Sequence, residues 1–278
     1  MMQKKIKPFL KWPGGKRWFV ANHAGVFPRA FDTYIEPFLG GGSVFFHLKP
    51  KRAILGDTNA ELINAYRGIQ AEWISVQAKL RSHHRNHSAE HYYTTRDTSP
   101  RSLASQAARL IYLNRTCFNG IYRVNLKGQF NVPKGTKTAV VFDSDDFEAI
   151  ASILAKARLC VSDFEPLVDQ ASKGDLLFCD PPYTVRHNNN GFIKYNEKLF
   201  SWNDQIRLAK AVIKAAERGA SVVLTNAEHD SIRSLYRGHG FSIRRLTRFS
   251  PISATSESRK AFGELLITSY ADNGGANG

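Results

Sequence analysis

The tetrapeptide Asp180-Pro181-Pro182-Tyr183 closes the apolar run Leu176-Leu177-Phe178-Cys179 and sets a carboxylate beside an aromatic ring. A short apolar run ended by a carboxylate and two prolines reads as a buried strand that stops abruptly at a sheet edge. In open α/β sheets ligands bind beyond the carboxyl ends of the strands, so Asp180 is expected to face a ligand and Tyr183 to offer it a stacking surface. The same four residues also suit a plain polar turn. The rest of the chain has to separate the two readings.

Two glycine-rich stretches precede it. Phe9-Leu10-Lys11-Trp12-Pro13-Gly14-Gly15-Lys16 is an apolar piece running into a turn and a cation. Its glycines let backbone N–H groups approach a ligand, and Trp12 offers a ring. Tyr34-Ile35-Glu36-Pro37-Phe38-Leu39-Gly40-Gly41-Gly42-Ser43-Val44 reads as strand, tight turn and helix start, the layout of a nucleotide-cofactor loop. It lacks the Gly-Lys-Ser/Thr ending of a phosphate loop and carries Glu36 at the strand tip. A carboxylate there repels phosphates and suits an ammonium or sulfonium charge.

The next strand, Ala53-Ile54-Leu55-Gly56, ends in Asp57. That is roughly 20 residues on, the spacing of a ribose-diol ligand, although an Asp capping the helix that follows fits the same position. Arg158 to Ser162 reads as a third strand. It ends near Asp163 and Phe164, where a carboxylate could bond an adenine amino group beside an apolar ring.

The elements between these strands change character. Leu62, Tyr66, Ile69, Trp73, Val76 and Leu80, then Leu103, Ala107, Leu110 and Ile111, recur at helical spacing. The stretch from 81 to 101 holds His83, His84, His87 and His91. Without cysteine or carboxylate partners these read as a solvated basic face rather than a metal site. From Val124 to Pro133 the pattern is a β-hairpin turning near Lys127-Gly128. Arg123 suits guanine, asparagine suits adenine, and Phe118 and Ile121 could wedge between bases. An ordinary hairpin with its aromatics in the core is the competing reading.

Strand and helix alternate again after Asp145. A helix carrying Ile206, Ala209, Val212, Ile213 and Ala216 leads through Gly219 to the strand from Ser221 to Asn226. A terminal antiparallel pair over 241–249 and 265–270 frames a polar loop at 250–260. The polar interval 183–202 reads as a mobile loop folding over substrate, and 271–278 as a disordered tail.

Thirty-nine Lys and Arg against 24 Asp and Glu leave a charge of +15 over 278 residues, with a pI near 9.8. Such a balance favours a polyanion, with nucleic acid the leading partner. No segment approaches a membrane span or a signal peptide, which points to a cytoplasmic protein. Cys117, Cys160 and Cys179 are too few for a disulfide framework or a zinc site.

Taken in order, Phe9-Leu10-Lys11-Trp12 with Gly14-Gly15-Lys16, Glu36-Pro37-Phe38 with Gly40 and Gly42, Asp57, and Asp180-Pro181-Pro182-Tyr183 resemble the Dam-type DNA adenine-N6 methyltransferases. Tyr112-Leu113-Asn114-Arg115, Asn119-Gly120, Arg123 and Asn131-Val132-Pro133 resemble that family's target-recognition hairpin.

The resemblance implies an S-adenosylmethionine-dependent methyltransferase sheet, α/β and Rossmann-like, over residues 1–57 and 145–270. Residues 58–144 would form an inserted, mainly helical recognition domain carrying the hairpin. It implies S-adenosylmethionine held by Trp12, Lys16, Glu36, Pro37, Phe38, Gly40, Gly42, Ser43, Asp57, Asp163, Phe164 and Asp180. It places Asp180, Pro181, Pro182 and Tyr183 on a flipped adenine, and Lys11, Phe118, Asn119, Ile121, Arg123 and Pro133 on double-stranded DNA. The expected site is GATC, the enzyme a monomer without metal, nucleoid-associated and either orphan or part of a restriction system. Methylation of cytosine N4 or RNA adenine, and a non-catalytic DNA-binding regulator, are the competing functions. Lys134, where the family commonly has an aromatic, and Thr116-Cys117-Phe118, less aromatic than usual, are departures that bear on flanking preference.

Overall fold

A computed structural model describes residues 6–125, 128–184, 200–247 and 263–270. The expected loop over 183–202, apart from its ends, the polar loop 250–260, the tail 271–278 and Lys127 lie outside the described residues. The chain divides into two compact units, Met1–His23 with Leu39–Val161, and Ala24–Phe38 with Ser162–Gly278. The division runs through the glycine-rich loop, between Phe38 and Leu39.

In the first unit, α1 (Arg17–His23) follows the Trp12 turn, and α2 (Ser43–Leu48) starts directly after the glycine loop. Strand β2 (Ala53–Asp57) pairs in parallel with β3 (Ala157–Val161), Asp57 opposite Val161. Between them run α3 (Ala60–Arg85), α4 (Ala89–Asp97), α5 (Leu103–Thr116) and α6 (Phe147–Leu154). Asn59, Ser88, Ser102 and Asp146 start these helices by accepting a backbone N–H of the first turn. Gly68 lets α3 approach α5 closely, since a Cβ there would lie 2.7 Å from Ala107. The helical core is Leu62, Tyr66, Ile69, Val76, Leu80, Leu110 and Ile111, all at most 1 % exposed. Arg115 is buried with them and makes a bidentate pair with Asp145 at 2.6 and 2.7 Å.

The second unit holds β1 (Tyr34–Glu36), β4 (Leu176–Cys179), β5 (Ser221–Ala227), β6 (Ser242–Thr247) and β7 (Gly263–Thr268). Strands β1, β4 and β5 are parallel neighbours, and β7 then lies antiparallel between β5 and β6. All four residues of β4 are buried, as a strand covered on both faces requires. Helices α7 (Glu165–Val168), α8 (Trp202–Glu217) and α9 (Asp230–Tyr236) belong to this unit. A capping box of Ser201 and Asp204 opens α8, and Gly219 at φ +90° follows its end. The α/β class expected from the sequence is the one observed.

Three local readings hold only in part. Helix α8 buries Ala209 and Val212 as expected, but its buried face runs on through Gln205, Leu208, Ala211 and Ala215 and leaves Ile206, Ile213 and Ala216 partly exposed. The hairpin is present but short: Val124 bridges Phe130 antiparallel, Asn125 N–H bonds the Gln129 carbonyl at 2.9 Å and Asn131 N–H the Arg123 carbonyl at 3.2 Å, with residues 126 and 127 outside the described residues. Of the four histidines only His84 lies exposed on a solvated face, and the other three are partly covered. His83 stacks on Tyr112 at 4.7 Å and lies 2.9 Å from His91, while His87 reaches the Tyr112 hydroxyl at 2.9 Å.

Candidate active site

In the first unit the glycine loop is held on several sides. Leu39 N–H bonds the Gly56 carbonyl at 2.8 Å, docking the loop on β2. The Gly40 N–H donates to Asp57 at 3.1 Å and its carbonyl accepts the Tyr66 hydroxyl at 3.0 Å. Gly40 sits at φ +48° and Gly42 at +63°. A Cβ at Gly40 would meet Trp12 at 2.9 Å, and one at Gly42 would meet the Tyr66 hydroxyl at 2.9 Å. Only glycine satisfies both the backbone and the approach. Gly42 passes directly into Ser43, the buried first residue of α2.

Asp57 also accepts the Asn59 N–H at 2.9 Å. The helix cap is therefore Asn59, which bonds Leu62 N–H at 3.0 Å, and Asp57 is left facing the loop. Burial raises the Asp57 carboxyl above its ordinary range, partly offset by the backbone N–H groups it accepts. Trp12 stacks on Tyr122 with ring centroids 5.0 Å apart, and buried Lys16 donates to the Gly14 carbonyl at 3.1 Å.

The expected target readers cluster in this same unit. A 3-10 turn at Phe118–Gly120 puts Phe118 55 % exposed and is followed by Ile121, 43 % exposed. Phe118 N–H bonds the Pro133 carbonyl at 2.9 Å, and the Lys11 ammonium donates to the Asn119 carbonyl. Arg123 is exposed, its Nε donating to Asn131 at 3.0 Å. Asn114, at 1 % exposure, ties this turn to the N-terminal segment by accepting Lys11 N–H and donating to the Lys11 carbonyl, both at 2.8 Å. Tyr112, Arg115 and Phe130 are buried and do not belong to the exposed reader.

In the second unit Asp180 lies one residue past β4. The register that opposes Cys179 to Leu224 brings it to Thr225, whose hydroxyl donates to Asp180 Oδ1 at 2.8 Å. Tyr183 donates its hydroxyl to Glu264 at 2.8 Å, and Glu264 is 7 % exposed at the start of β7. Burial and the nearby Asp180 and Glu264 charges push the Tyr183 phenol well above its ordinary range, so it stays a donor. Gln205, fully buried on α8, donates to the Thr184 carbonyl at 3.3 Å and accepts from Asn226 at 2.9 Å. Pro181 is buried and Pro182 partly exposed. The backbone after Asp180 is thus held by Gln205 of α8, itself held by Asn226 of β5.

Glu36, 2 % exposed at the end of β1, accepts the Tyr34 hydroxyl at 2.9 Å, next to buried Pro37. Phe38 stacks on buried Phe164 at 5.5 Å. Asp163 accepts Arg207 at 2.9 Å, and the same guanidinium binds Glu165 and Asp204 and lies over Phe164 at 4.9 Å. Those carboxylates raise the Arg207 pKa.

Thr225, Glu264, Gln205, Asn226, Tyr66, Tyr122 and Arg207 are the residues that sequence reasoning missed. The one available signal was the polar pair Thr225-Asn226 ending an apolar strand, as Asp180 does.

Residues 12–251 match the model of the D12 class N6 adenine-specific DNA methyltransferase family. The chain is 34 % identical over 276 residues to Type II methyltransferase M1.LlaDCHI of Lactococcus lactis subsp. cremoris, covering 96 % of each. It is 34 % identical to a DNA adenine methylase of Vibrio cholerae, covering 95 % of this chain and 96 % of that one. A DNA N-6-adenine-methyltransferase of Escherichia phage P1 is 32 % identical over 95 % of this chain and 36 % of its own, longer length.

Proposed function

The chain belongs to the D12 class of N6 adenine-specific DNA methyltransferases, and from that premise we propose that it methylates the amino nitrogen of an adenine flipped out of double-stranded DNA, at GATC, with S-adenosylmethionine as donor. The observation that carries this reading is Asp180 pinned by Thr225 beside Tyr183 pinned by Glu264. We assign the catalytic role to 1–57 and 145–270 and the recognition role to 58–144, a division by role that is distinct from the two compact units.

The donor fits the residues present. Gly40 and Gly42 present backbone where any Cβ would clash, and Glu36 stands where a phosphate loop would carry donors. When bound, S-adenosylmethionine supplies an activated methyl group on a cationic sulfur. Trp12, Lys16, Phe38, Gly40, Gly42, Ser43 and Asp57 are assigned to its loop, Asp57 to the ribose diol. Asp163 and Phe164 are assigned to its adenine, with Arg207 holding Asp163 in place.

The amino group of adenine is a weak nucleophile because its lone pair is delocalised into the ring, and in a duplex it is stacked out of reach. Flipping costs a few kcal/mol. Asp180 and the Pro181 carbonyl accept its two N–H groups, localising and aiming the lone pair, while Tyr183 stacks on the ring. The Thr225 hydroxyl restrains rotation of the Asp180 carboxylate, and the Glu264 bond fixes the tyrosine ring. Lys11, Phe118, Asn119, Ile121, Arg123 and Pro133 select the site, with Arg123 reading a guanine.

The test is expression in a host lacking adenine methylation, followed by modified-base sequencing. N6-methyladenine confined to GATC is expected, and Asp180→Ala should abolish it while leaving DNA binding in place. Methylated cytosine, or a genome without modification despite folded protein, overturns the reading.

A further inference from the structure

We infer that Tyr122 couples donor binding to target reading, its ring joining the glycine loop to the reader turn through Trp12. The inference rests on the proposed function and assigns Tyr122 and Glu61 as positioning residues of that site.

A continuous set of contacts supports it. Gly40 is fixed by Asp57 and Tyr66, and the Trp12 ring lies so close that a Cβ on Gly40 would meet Trp12 Cδ1 at 2.9 Å and one on Gly41 would meet its Cβ at 3.3 Å. The loop therefore cannot change its backbone without moving this ring. The ring in turn stacks on Tyr122 at 5.0 Å and 26°. Tyr122 is oriented from its far end, donating its hydroxyl to Glu61 Oε2 at 2.8 Å. The other Glu61 oxygen accepts Arg109 at 3.1 Å, and Arg109 is itself anchored on the Thr95 and Arg96 carbonyls. Tyr122 thus stands on a fixed helical support at one end and against the loop at the other.

Its chain neighbours are Ile121 and Arg123, both exposed and both assigned to DNA. A donor that immobilises the loop also immobilises Trp12, then Tyr122, then the backbone that aims Ile121 and Arg123. DNA then binds a turn already ordered and meets a smaller ordering cost, which is positive coupling with a reciprocal effect on donor binding. The Tyr122 ring is half-buried rather than a core element, so replacing it should perturb this path more than the fold.

The experiment measures affinity for a labelled duplex, carrying whichever motif modified-base sequencing returns, with and without saturating S-adenosylhomocysteine. In the wild type the ligand should tighten DNA binding at least about fivefold. In Tyr122→Leu the ratio should fall to about one, with each ligand still binding alone and the circular dichroism unchanged. Tyr122→Phe, which keeps the stack and loses the hydroxyl's bonds to Glu61 and Asn59, should lower the ratio only in part. A wild-type ratio of one, or a Tyr122→Leu ratio equal to the wild type, overturns the inference. If Tyr122→Leu fails to fold, Tyr122→Met, which fills the same space without a ring to stack on Trp12, carries the same test. Failure of the proposed function would show separately, as wild-type enzyme that transfers no methyl group to DNA.

Discussion

Thr225→Val tests whether Asp180 acts as a fixed acceptor. Thr225 is fully buried and its hydroxyl donates to Asp180 Oδ1 at 2.8 Å. Valine keeps the shape and removes the donor. Hydrogen bonds to charged groups contribute about 1.5–3 kcal/mol. If all of that restrains the carboxylate while it aims the amino nitrogen, the loss appears as about 10- to 150-fold in the rate of methyl transfer.

The effect should fall on kcat, because Thr225 is assigned no contact with the donor or the DNA, and KM for both should move little. Thr225→Ser restores the hydroxyl and should restore the rate. The assay is single-turnover transfer of a labelled methyl group to a duplex, with thermal unfolding measured in parallel. A rate within twofold of wild type would mean that Asp180 needs no such restraint. A loss matched by unfolding, and not rescued by serine, would make Thr225 a packing residue.

Gly40→Ala places a side chain at φ +48° against Trp12; it should cost about 1–2 kcal/mol of stability and reduce the melting shift induced by S-adenosylhomocysteine, and an unaltered shift would separate this loop from the donor. Arg123→Ala should lose about 1–3 kcal/mol of discrimination at one base and none elsewhere, read by competition among singly substituted duplexes, and an unchanged preference removes Arg123 from base reading. His83 is pushed down to about 4 from 6.5, first by burial and then by the His91 and Lys79 charges. Its folded-state value lies below the unfolded one, so the unfolded chain takes up the proton first as pH falls. The stabilising contribution is full above 6.5 and fades toward 4, so the melting temperature of His83→Gln should depend less on pH across that window than the wild type does, and parallel curves would refute the assignment.

What the sequence makes legible are the residues at the ends of apolar runs. Asp57 and Asp180 each follow a run of the right length, and the glycines at 40 and 42 occupy positive φ as the strand-turn-helix reading requires. What it hides are their partners, because these depend on strand order. Thr225 meets Asp180 only because β5 lies beside β4 in that register. Glu264 meets Tyr183 only because β7 enters between β5 and β6, out of chain order. Alternation of apolar residues carries neither fact.

The same limit explains the misread helix faces. Hydrophobic spacing turned α8 toward Ile206 and Ile213, whereas its buried face includes Gln205, which bonds the backbone of residue 184 and the side chain of Asn226. His83, His87 and His91 looked solvated because Tyr112, which they pack against, lies on another helix. A period-based reading assigns polar residues to solvent by construction, so it must err where a polar side chain is buried to hold a site. Gln205 and Asn226 are both fully buried and bond each other, and Gln205 reaches the backbone beside Tyr183. That puts two departures from the hydrophobic pattern next to the residues proposed to grip the adenine. Burying unpaired amides there would be costly. Removing either one should therefore disturb the position of Tyr183 before it disturbs the sheet.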